Sequence, residues 1–250
     1  MLISILGVAQ PQISTPALVS KTAPTTDIPS AVVSAPGGTT FAVSPGPDEI
    51  TSIDVAIPKN CTPPTYNLPS KIDLTNQASG LSQIIDTPKY YQVYGNTSAQ
   101  IKRQLQQCAP IINGEVSNFG AYTGSNLVWQ YSLIQNDGET CSVSNVKVGL
   151  HTNMLLPKWG ATSSTSNGLA SSWQYLINNL TTHENGHVAI NQKHAQKLLS
   201  DMESVPASDC QSIVTSINAK TAANITALNQ ANDAYDDQTN HGVDQGAVLR

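Results

Sequence analysis

The sequence predicts an α+β fold, in which a small, mostly antiparallel sheet with a short helix precedes an antiparallel pair of long helices. Three patterns support this prediction: apolar residues at every second position in two neighbouring segments, apolar residues at helical spacing over 170–202, and a second helical stripe after Pro206. Alternation is typical of half-buried strands, and spacings of three and four are typical of helices with one buried face. Strands that come first and helices that come last are typical of an α+β domain.

The first predicted elements are a strand and a short helix. Residues 90–94 are rich in tyrosine and valine and are followed by Gly95, which predicts a strand that ends there. Thr97 followed by Gln100 is a capping box, which predicts a helix that ends before Pro110.

Two further strands are predicted to form a hairpin. The segment Asn136-Asp137-Gly138 lies between them and is typical of a tight hairpin turn. The alternating apolar residues are Leu127, Trp129, Tyr131 and Leu133 in the first strand and Val146, Val148 and Leu150 in the second.

Two long helices are predicted to follow the hairpin. The first runs from about Ala170 to Met202, Pro206 interrupts the chain, and Ser208 or Asp209 caps the second. The first apolar stripe comprises Trp173, Leu176, Ile177, Leu180, His183, Glu184, His187 and Ile190, and the second comprises Ile213, Ile217, Ile225, Leu228, Ala231 and Tyr235.

Composition divides the chain into three parts. Residues 1–10 are apolar and end in small residues, like the second half of a secretory signal, although a short hydrophobic tail is the alternative. Residues 11–79 are rich in proline, serine and threonine and are predicted to be a largely disordered linker or stalk. The folded domain is predicted over residues 80–250.

Charge and hydropathy exclude two classes of protein. With a net charge of −5 and 12 Lys and Arg, the chain has no basic stripe for phosphates, so we expect no nucleic-acid partner. No uninterrupted apolar run reaches the roughly 18 residues that a membrane span needs. The abundant serine and asparagine suit association with a cell wall or matrix.

The four cysteines predict disulfides, because the N-terminal segment predicts that the chain is exported. Cys61, Cys108, Cys141 and Cys210 are widely spaced and form no C-x-x-C pair, which argues against a zinc knuckle or a thioredoxin-type centre. An even number predicts two disulfides in a secreted or extracytoplasmic chain, with three pairings open and free buried thiols as the alternative.

The string His183-Glu184-Asn185-Gly186-His187 predicts a metal site on the first long helix. Residues four apart lie on the same helical face, so both imidazoles can bind one ion, and Glu184 lies beside it as a base. This H-E-x-x-H pattern is typical of zinc hydrolases. Two histidines and a glutamate on an apolar stripe would be costly to bury, and one Zn²⁺ ion would offset that cost. Gly186 indicates either a close approach by another segment or a tolerated glycine.

A catalytic zinc site also needs a third protein ligand and an open position. His194 lies seven residues after His187, about 10 Å along the helix axis, which is too far and predicts a packing role. His151, at the end of the hairpin, is predicted to be structural, with a place in the substrate cleft as the alternative.

The order of elements resembles the zincin plan of metallopeptidases. Residues 80–250 are similar to a bacterial domain family of unknown function whose members are described as secreted zinc-dependent proteases. The segments that carry the resemblance are 90–95, Trp129-Gln130-Tyr131, 156–159, 183–187, 235–242 and 245–247. The resemblance implies a zincin-like fold and zinc-dependent peptide hydrolysis, but no particular substrate.

The resemblance implies His241 as the third ligand, because His241 lies in the matching C-terminal segment. Antiparallel helices connected around Pro206 would bring a residue near position 225 opposite His187, so the chain must turn back over 236–240 for His241 to reach the metal. The alternative ligands are Asp233, Asp236 or Asp237, and Tyr235 is either an oxyanion donor or a core residue.

The sequence therefore predicts a secreted zinc metalloprotease that acts on a peptide or protein substrate. Glu184 is the predicted general base, and His183, His187 and His241 are the predicted ligands of one Zn²⁺ ion. The alternatives are an exported binding or scaffold domain with a structural metal, and a zinc amidase that acts on cell-wall material.

Overall fold

The computed structural model describes residues 31–34, 63–112, 115–116, 120–136, 140–160 and 166–250. Its elements, in chain order, are β1 (Ala31–Ser34), β2 (Thr65–Tyr66), β3 (Gly80–Ile85), β4 (Lys89–Tyr94), α1 (Ser98–Gln107), β5 (Ile111–Ile112), β6 (Glu115–Val116), β7 (Tyr122–Gln135), β8 (Thr140–Gly160), α2 (Asn167–Glu203), β9 (Ser208–Asp209), α3 (Cys210–Thr239) and a 3-10 turn (Val243–Gln245).

The long strand β8 organises a six-stranded sheet. It pairs antiparallel with β7 along one edge, and β1 pairs antiparallel with the far side of β7. Along its other edge β8 pairs in parallel with β3 and then with β4, and β9 joins the start of β8. A separate three-stranded sheet contains β2, β5 and β6.

The predicted fold class is wrong, because the structure is mixed α/β rather than a small, mostly antiparallel sheet followed by two helices. The main sheet is mixed, and its central strands have 14 and 21 residues. Alternation predicted only residues 127–133 of β7 and 146–150 of β8, because apolar and polar residues do not alternate in much of the rest of these strands. Residues 122–126 are mostly polar and yet buried, and in β8 the polar residues 151–153 are followed by the apolar residues 154–156. No local sequence pattern indicates that β3 and β4 each pair in parallel with β8, because the paired residues are far apart in sequence. The predicted turn at 137–138 lies outside the described residues.

Two layers cover the sheet. Helices α2 and α3 pack on one face, and residues 63–75 cross the other. On that second face Lys147 Nζ donates to the Leu74 carbonyl oxygen at 3.0 Å, and Asn126 Nδ2 donates to the Pro69 carbonyl oxygen at 3.3 Å. Tyr66 is buried and hydrogen-bonds Asn153. Residues 63–75, which lie in the segment that the sequence assigns to the linker, therefore pack on the sheet through the Tyr66 side chain and through main-chain carbonyl groups.

The helices begin at well-formed caps. The Thr97 hydroxyl accepts from the Gln100 amide, Ser166 caps α2, and Asp209 caps α3. Helices α2 and α3 run antiparallel, since later residues of α2 contact earlier residues of α3: Asn191 Oδ1 accepts from Asn232 Nδ2 at 3.1 Å, and the His194 carbonyl oxygen accepts from Asn224 Nδ2 at 3.2 Å. Apolar residues fill the space between these helices and the sheet, including Leu127, Tyr131, Leu198, Met202, Ile213 and Ile217.

A disulfide joins Cys141 at the start of β8 to Cys210 at the start of α3. The sequence left the pairing open, and Cys61 lies outside the described residues. Among the described helices, none has both the length and the apolar character that a membrane span requires.

Removal of the Cys141–Cys210 disulfide is expected to destabilise the domain without changing its fold. The bond closes a loop of 69 residues in sequence, so its loss releases the unfolded chain from a long constraint. We expect a Cys141→Ala/Cys210→Ala variant to lose about 2–5 kcal/mol in free energy of unfolding. Urea denaturation of parent and variant measures this difference, and a loss below about 1 kcal/mol would contradict the expectation.

Candidate metal centre

The buried face of α2 carries the H-E-x-x-H residues. His183, Glu184 and His187 have no exposed surface, and their side chains lie between β7 and α3. The two histidines are one helical turn apart, and their Nε2 atoms are 3.3 Å from each other. The helical spacing therefore brings two potential ligand atoms to one point, as the sequence predicts.

Helix α3 supplies the side chain that completes this cluster. Asp236 Oδ1 lies 3.1 Å from His183 Nε2 and 3.1 Å from His187 Nε2. Asp236 is 3% exposed and follows Asn224, Leu228 and Asn232 at intervals of four along the α3 face that packs on α2. Within the described part of the chain, these three residues are the one group of His, Cys, Asp or Glu that could hold a metal ion.

The three atoms have the separation that a zinc ion requires. Bonds of about 2.0–2.1 Å in tetrahedral geometry place neighbouring ligand atoms about 3.3 Å apart. The observed distances of 3.1, 3.1 and 3.3 Å lie close to this value. The donor set of two imidazoles and one carboxylate is also typical of zinc.

A hydrogen-bond chain fixes the tautomer of His187. Asn232 Nδ2 donates to the Leu228 carbonyl oxygen and to Asn191 Oδ1, so Asn232 Oδ1 is the atom that faces the imidazole. His187 Nδ1 therefore donates its proton to Asn232 Oδ1 at 2.8 Å. In a neutral ring this leaves the lone pair on Nε2, directed at the cluster.

His183 is held in the same way from the C-terminal segment. Gln245 Nε2 donates to the Tyr235 hydroxyl at 3.0 Å, which turns Gln245 Oε1 toward His183 Nδ1 at 2.9 Å. His183 Nδ1 then donates to that oxygen, and its Nε2 also carries a lone pair. Two nitrogen lone pairs and a carboxylate oxygen within 3.3 Å repel each other unless a cation lies among them.

The pKa shifts of His187 and Asp236 also indicate that the cluster favours a positive charge. Burial lowers the pKa of His187, but the Asp236 hydrogen bond and the charge of Glu184 outweigh it and raise that pKa above its usual value. Burial raises the pKa of Asp236, but hydrogen bonds from His183 and His187 outweigh it and lower that pKa. A proton on the histidines and a metal ion would therefore compete for this place.

Glu184 lies beside the cluster and outside it. Thr123 of β7 donates its hydroxyl to Glu184 Oε2 at 2.7 Å. Among the residues that the structure describes, none hydrogen-bonds the buried second oxygen, Oε1. Burial raises the pKa of Glu184, and the opposing effects of His187, Thr123 and His183 do not cancel it.

Gly186 gives Tyr235 room to reach the cluster. A Cβ atom at position 186 would lie 2.1 Å from the Tyr235 hydroxyl oxygen, and the Tyr235 ring stacks on His183 with centroids 5.0 Å apart. Of the two interpretations of this glycine, close approach by another segment is therefore correct. The Tyr235 hydroxyl is engaged with Gln245.

The chain turns back after α3, but His241 is not part of the three-residue cluster. Asn240, His241 and Gly242 have φ values of 48°, 50° and 81°, and Gly242 lies against the His183 ring. His241 Nδ1 is 3.8 Å from Asp236 Oδ1, and its side chain is 30% exposed. The third position in the cluster belongs to Asp236, which the sequence left as an alternative. Asp233 and Asp237 do not belong to the group.

The other histidines lie elsewhere. The His194 carbonyl oxygen accepts from Asn224 Nδ2 at 3.2 Å, where α2 and α3 pack together. His151 packs on the opposite face of the sheet, with Nδ1 2.8 Å from the Ser70 carbonyl oxygen and Nε2 3.0 Å from Asp86 Oδ1.

Sequence reasoning missed four supporting residues: Thr123, Asn191, Asn232 and Gln245. Asn232 could have been found, because it precedes Asp236 by one helical turn and shares its face. Gln245 follows a chain reversal and Thr123 belongs to a distant strand, so no local spacing connects either to the motif.

Asn232→Ala is expected to weaken zinc binding by about 10–100-fold, because His187 loses the oxygen that fixes its tautomer. Asn224→Ala is the matched control, since Asn224 is also buried on α3 and also bridges to α2, but contacts no cluster residue. Competition with a chromogenic chelator measures both affinities. Equal affinities in the two variants would contradict the role of Asn232.

Comparison with known proteins gives one result. The model of a bacterial protein family of unknown function (DUF922) matches residues 88–242, which is more than half of the 250-residue chain and includes the whole three-residue cluster. Searches of the curated proteins and of the solved structures each found no match to this chain. The chain therefore belongs to this bacterial family of unknown function, DUF922.

Proposed function

We propose that this protein is a zinc-dependent peptide hydrolase in which His183, His187 and Asp236 hold the metal and Glu184 is the general base. The observation that carries the proposal is the cluster itself: three ligand atoms separated by 3.1–3.3 Å, beside a buried carboxylate that is not one of them. The histidine tautomers support it, because both rings present lone pairs to the same point.

The proposed chemistry divides between the ion and Glu184. A zinc ion held by His183, His187 and Asp236 would supply Lewis acidity, which would make water at the site easier to deprotonate. Glu184 accepts a proton from the attacking water and returns it to the leaving amine. Thr123 holds Oε2 of this carboxylate at 2.7 Å, so Oε1 remains for the transfer.

The number of ligands favours catalysis. Catalytic zinc sites keep three protein ligands and one open position, whereas structural sites have four protein ligands. The described residues offer three side chains to this centre. The disulfide between Cys141 and Cys210 also suits a protein that works outside the cytoplasm, so we propose a secreted or cell-envelope hydrolase.

Burial favours a second candidate, in which the metal has a structural role. His183, Glu184 and His187 are fully buried and Asp236 is 3% exposed. A metal held there would join α2 to α3 and stabilise their packing without any turnover. This candidate predicts the same metal content but no hydrolysis.

Removal of zinc separates the two candidates. We expect the pure protein to contain one zinc ion per chain. When the free zinc concentration is about 100 times the Kd, removal of the ion by a chelator should lower the free energy of unfolding by about 3 kcal/mol. Metal analysis and thermal unfolding measure these effects. A digest of a broad peptide library should stop with the chelator and resume when zinc is restored. Destabilisation without any metal-dependent cleavage would favour the structural metal.

A further inference from the structure

The edge of β7 passes directly beside the metal centre. Thr123 of this strand donates to Glu184, and the Ser125 hydroxyl accepts from Asn191 Nδ2 at 2.8 Å. Both side chains point toward α2, and β8 occupies one side of β7. The main chain of residues 124–127 can therefore offer its other side to an additional strand that would lie next to Glu184.

Residues of this same chain occupy that edge. Strand β1 pairs antiparallel with β7, from Ala31 opposite Leu127 to Ser34 opposite Gly124. β1 also packs against α3, the helix that carries Asp236. β1 therefore lies between β7, whose Thr123 contacts Glu184, and α3, which carries Asp236. Its last residue, Ser34, is opposite Gly124, so β1 ends one residue before the position opposite Thr123.

We infer that residues 124–127 of β7 bind an extended peptide main chain and that residues 31–34 occupy this site as an internal occupant. Addition of a strand to an open edge uses main-chain hydrogen bonds, so it selects an extended polypeptide and places few demands on its side chains. The segment Ala31-Val32-Val33-Ser34 suits this, because valine favours strands. This inference rests on the proposed function only in naming the bound peptide as a substrate class.

The test uses full-length chains that carry Glu184→Gln, so that the bound peptide stays intact. The Val32→Pro/Val33→Pro variant removes two amide donors from β1, one of which must face β7. The Val32→Thr/Val33→Thr variant is the matched control, since it keeps both donors and the β-branched shape. Hydrogen–deuterium exchange reports the protection of amides 124–127, and fluorescence anisotropy reports the binding of a labelled synthetic peptide that spans residues 28–36.

At those amides of 124–127 that face β1, the proline variant is expected to lose protection by about 10-fold or more, because the edge is no longer paired. The alternate amides, which face β8, should stay protected. It is also expected to bind the free peptide about 10-fold more tightly than the threonine variant, in which the tethered strand competes. Equal protection in the two variants would show that residues 31–34 do not cover this edge. Loss of protection without tighter peptide binding would show that the edge does not take an extended peptide.

Either of these two results overturns the inference, and neither depends on turnover. Metal content and cleavage of the peptide library test the proposed function separately. A chain without zinc would end that function, and the exchange and anisotropy measurements would still decide whether the β7 edge binds a peptide.

Discussion

Glu184→Gln is expected to lower the rate of peptide hydrolysis by about 100- to 10,000-fold while the protein keeps its zinc. Glutamine has nearly the same shape as glutamate, and its amide oxygen can still accept from Thr123, so the buried site is not left with a cavity. The amide cannot accept a proton from water. The three ligand atoms come from other residues, and therefore the metal affinity should change little.

Glu203→Gln is the control for this substitution. Glu203 is an exposed residue at the end of the same helix, so its replacement removes the same charge from α2 without touching the centre. Metal analysis and single-turnover cleavage of a peptide library are measured for both variants. Hydrolysis by Glu184→Gln at the parent rate would show that Glu184 is not the base. Loss of zinc from this variant would show that Glu184 is a ligand instead.

The local part of the site could be predicted from the sequence because it depends on one helix. His183, Glu184 and His187 follow from helical periodicity alone, and α2 extends from Asn167 to Glu203, around the predicted 170–202. The N-caps at Thr97 and Asp209 likewise depend on residues only three positions apart. Such features are fixed by neighbours in sequence.

The third side chain could not be predicted in this way, because it depends on how two helices are aligned. Helices connected around Pro206 should bring a residue near position 225 opposite His187. In the structure β9 pairs with the start of β8 and α3 begins only at Cys210, so Asn232 faces His187 instead. This shift brings Asp236 to the cluster, and His241 lies beyond it.

The sheet was mispredicted for a related reason. Alternation of apolar and polar residues reveals a strand, and it is lost after Leu150, where three buried polar residues of β8 are followed by three apolar ones. The layer of residues 63–75 covers polar residues of β8 such as Lys147. That layer lies within a proline-rich segment whose composition indicates a linker. Its packing depends on contacts such as that between Lys147 and Leu74, which are distant in sequence.

Asp236→Asn tests whether Asp236 or His241 is the third ligand. It is expected to lower zinc affinity by about 100-fold or more, since it removes a direct ligand rather than a supporting residue. The substitution keeps the size of the side chain and removes the negative charge that faces the two imidazole rings. Peptide hydrolysis should fall with zinc occupancy. Zinc added in large excess should restore part of the activity, because Glu184 is unchanged.

His241→Gln and Asp237→Asn are the matched comparisons. His241 lies 3.8 Å from Asp236 and its side chain is 30% exposed, so its replacement should leave zinc affinity within about 3-fold of the parent. Asp237 is exposed on the neighbouring position of α3, and its replacement controls for the loss of one negative charge. Chelator competition measures all three affinities. If His241→Gln released the metal while Asp236→Asn retained it, the third ligand would be His241, and the contacts of Asp236 with the two histidines would be those of a supporting residue.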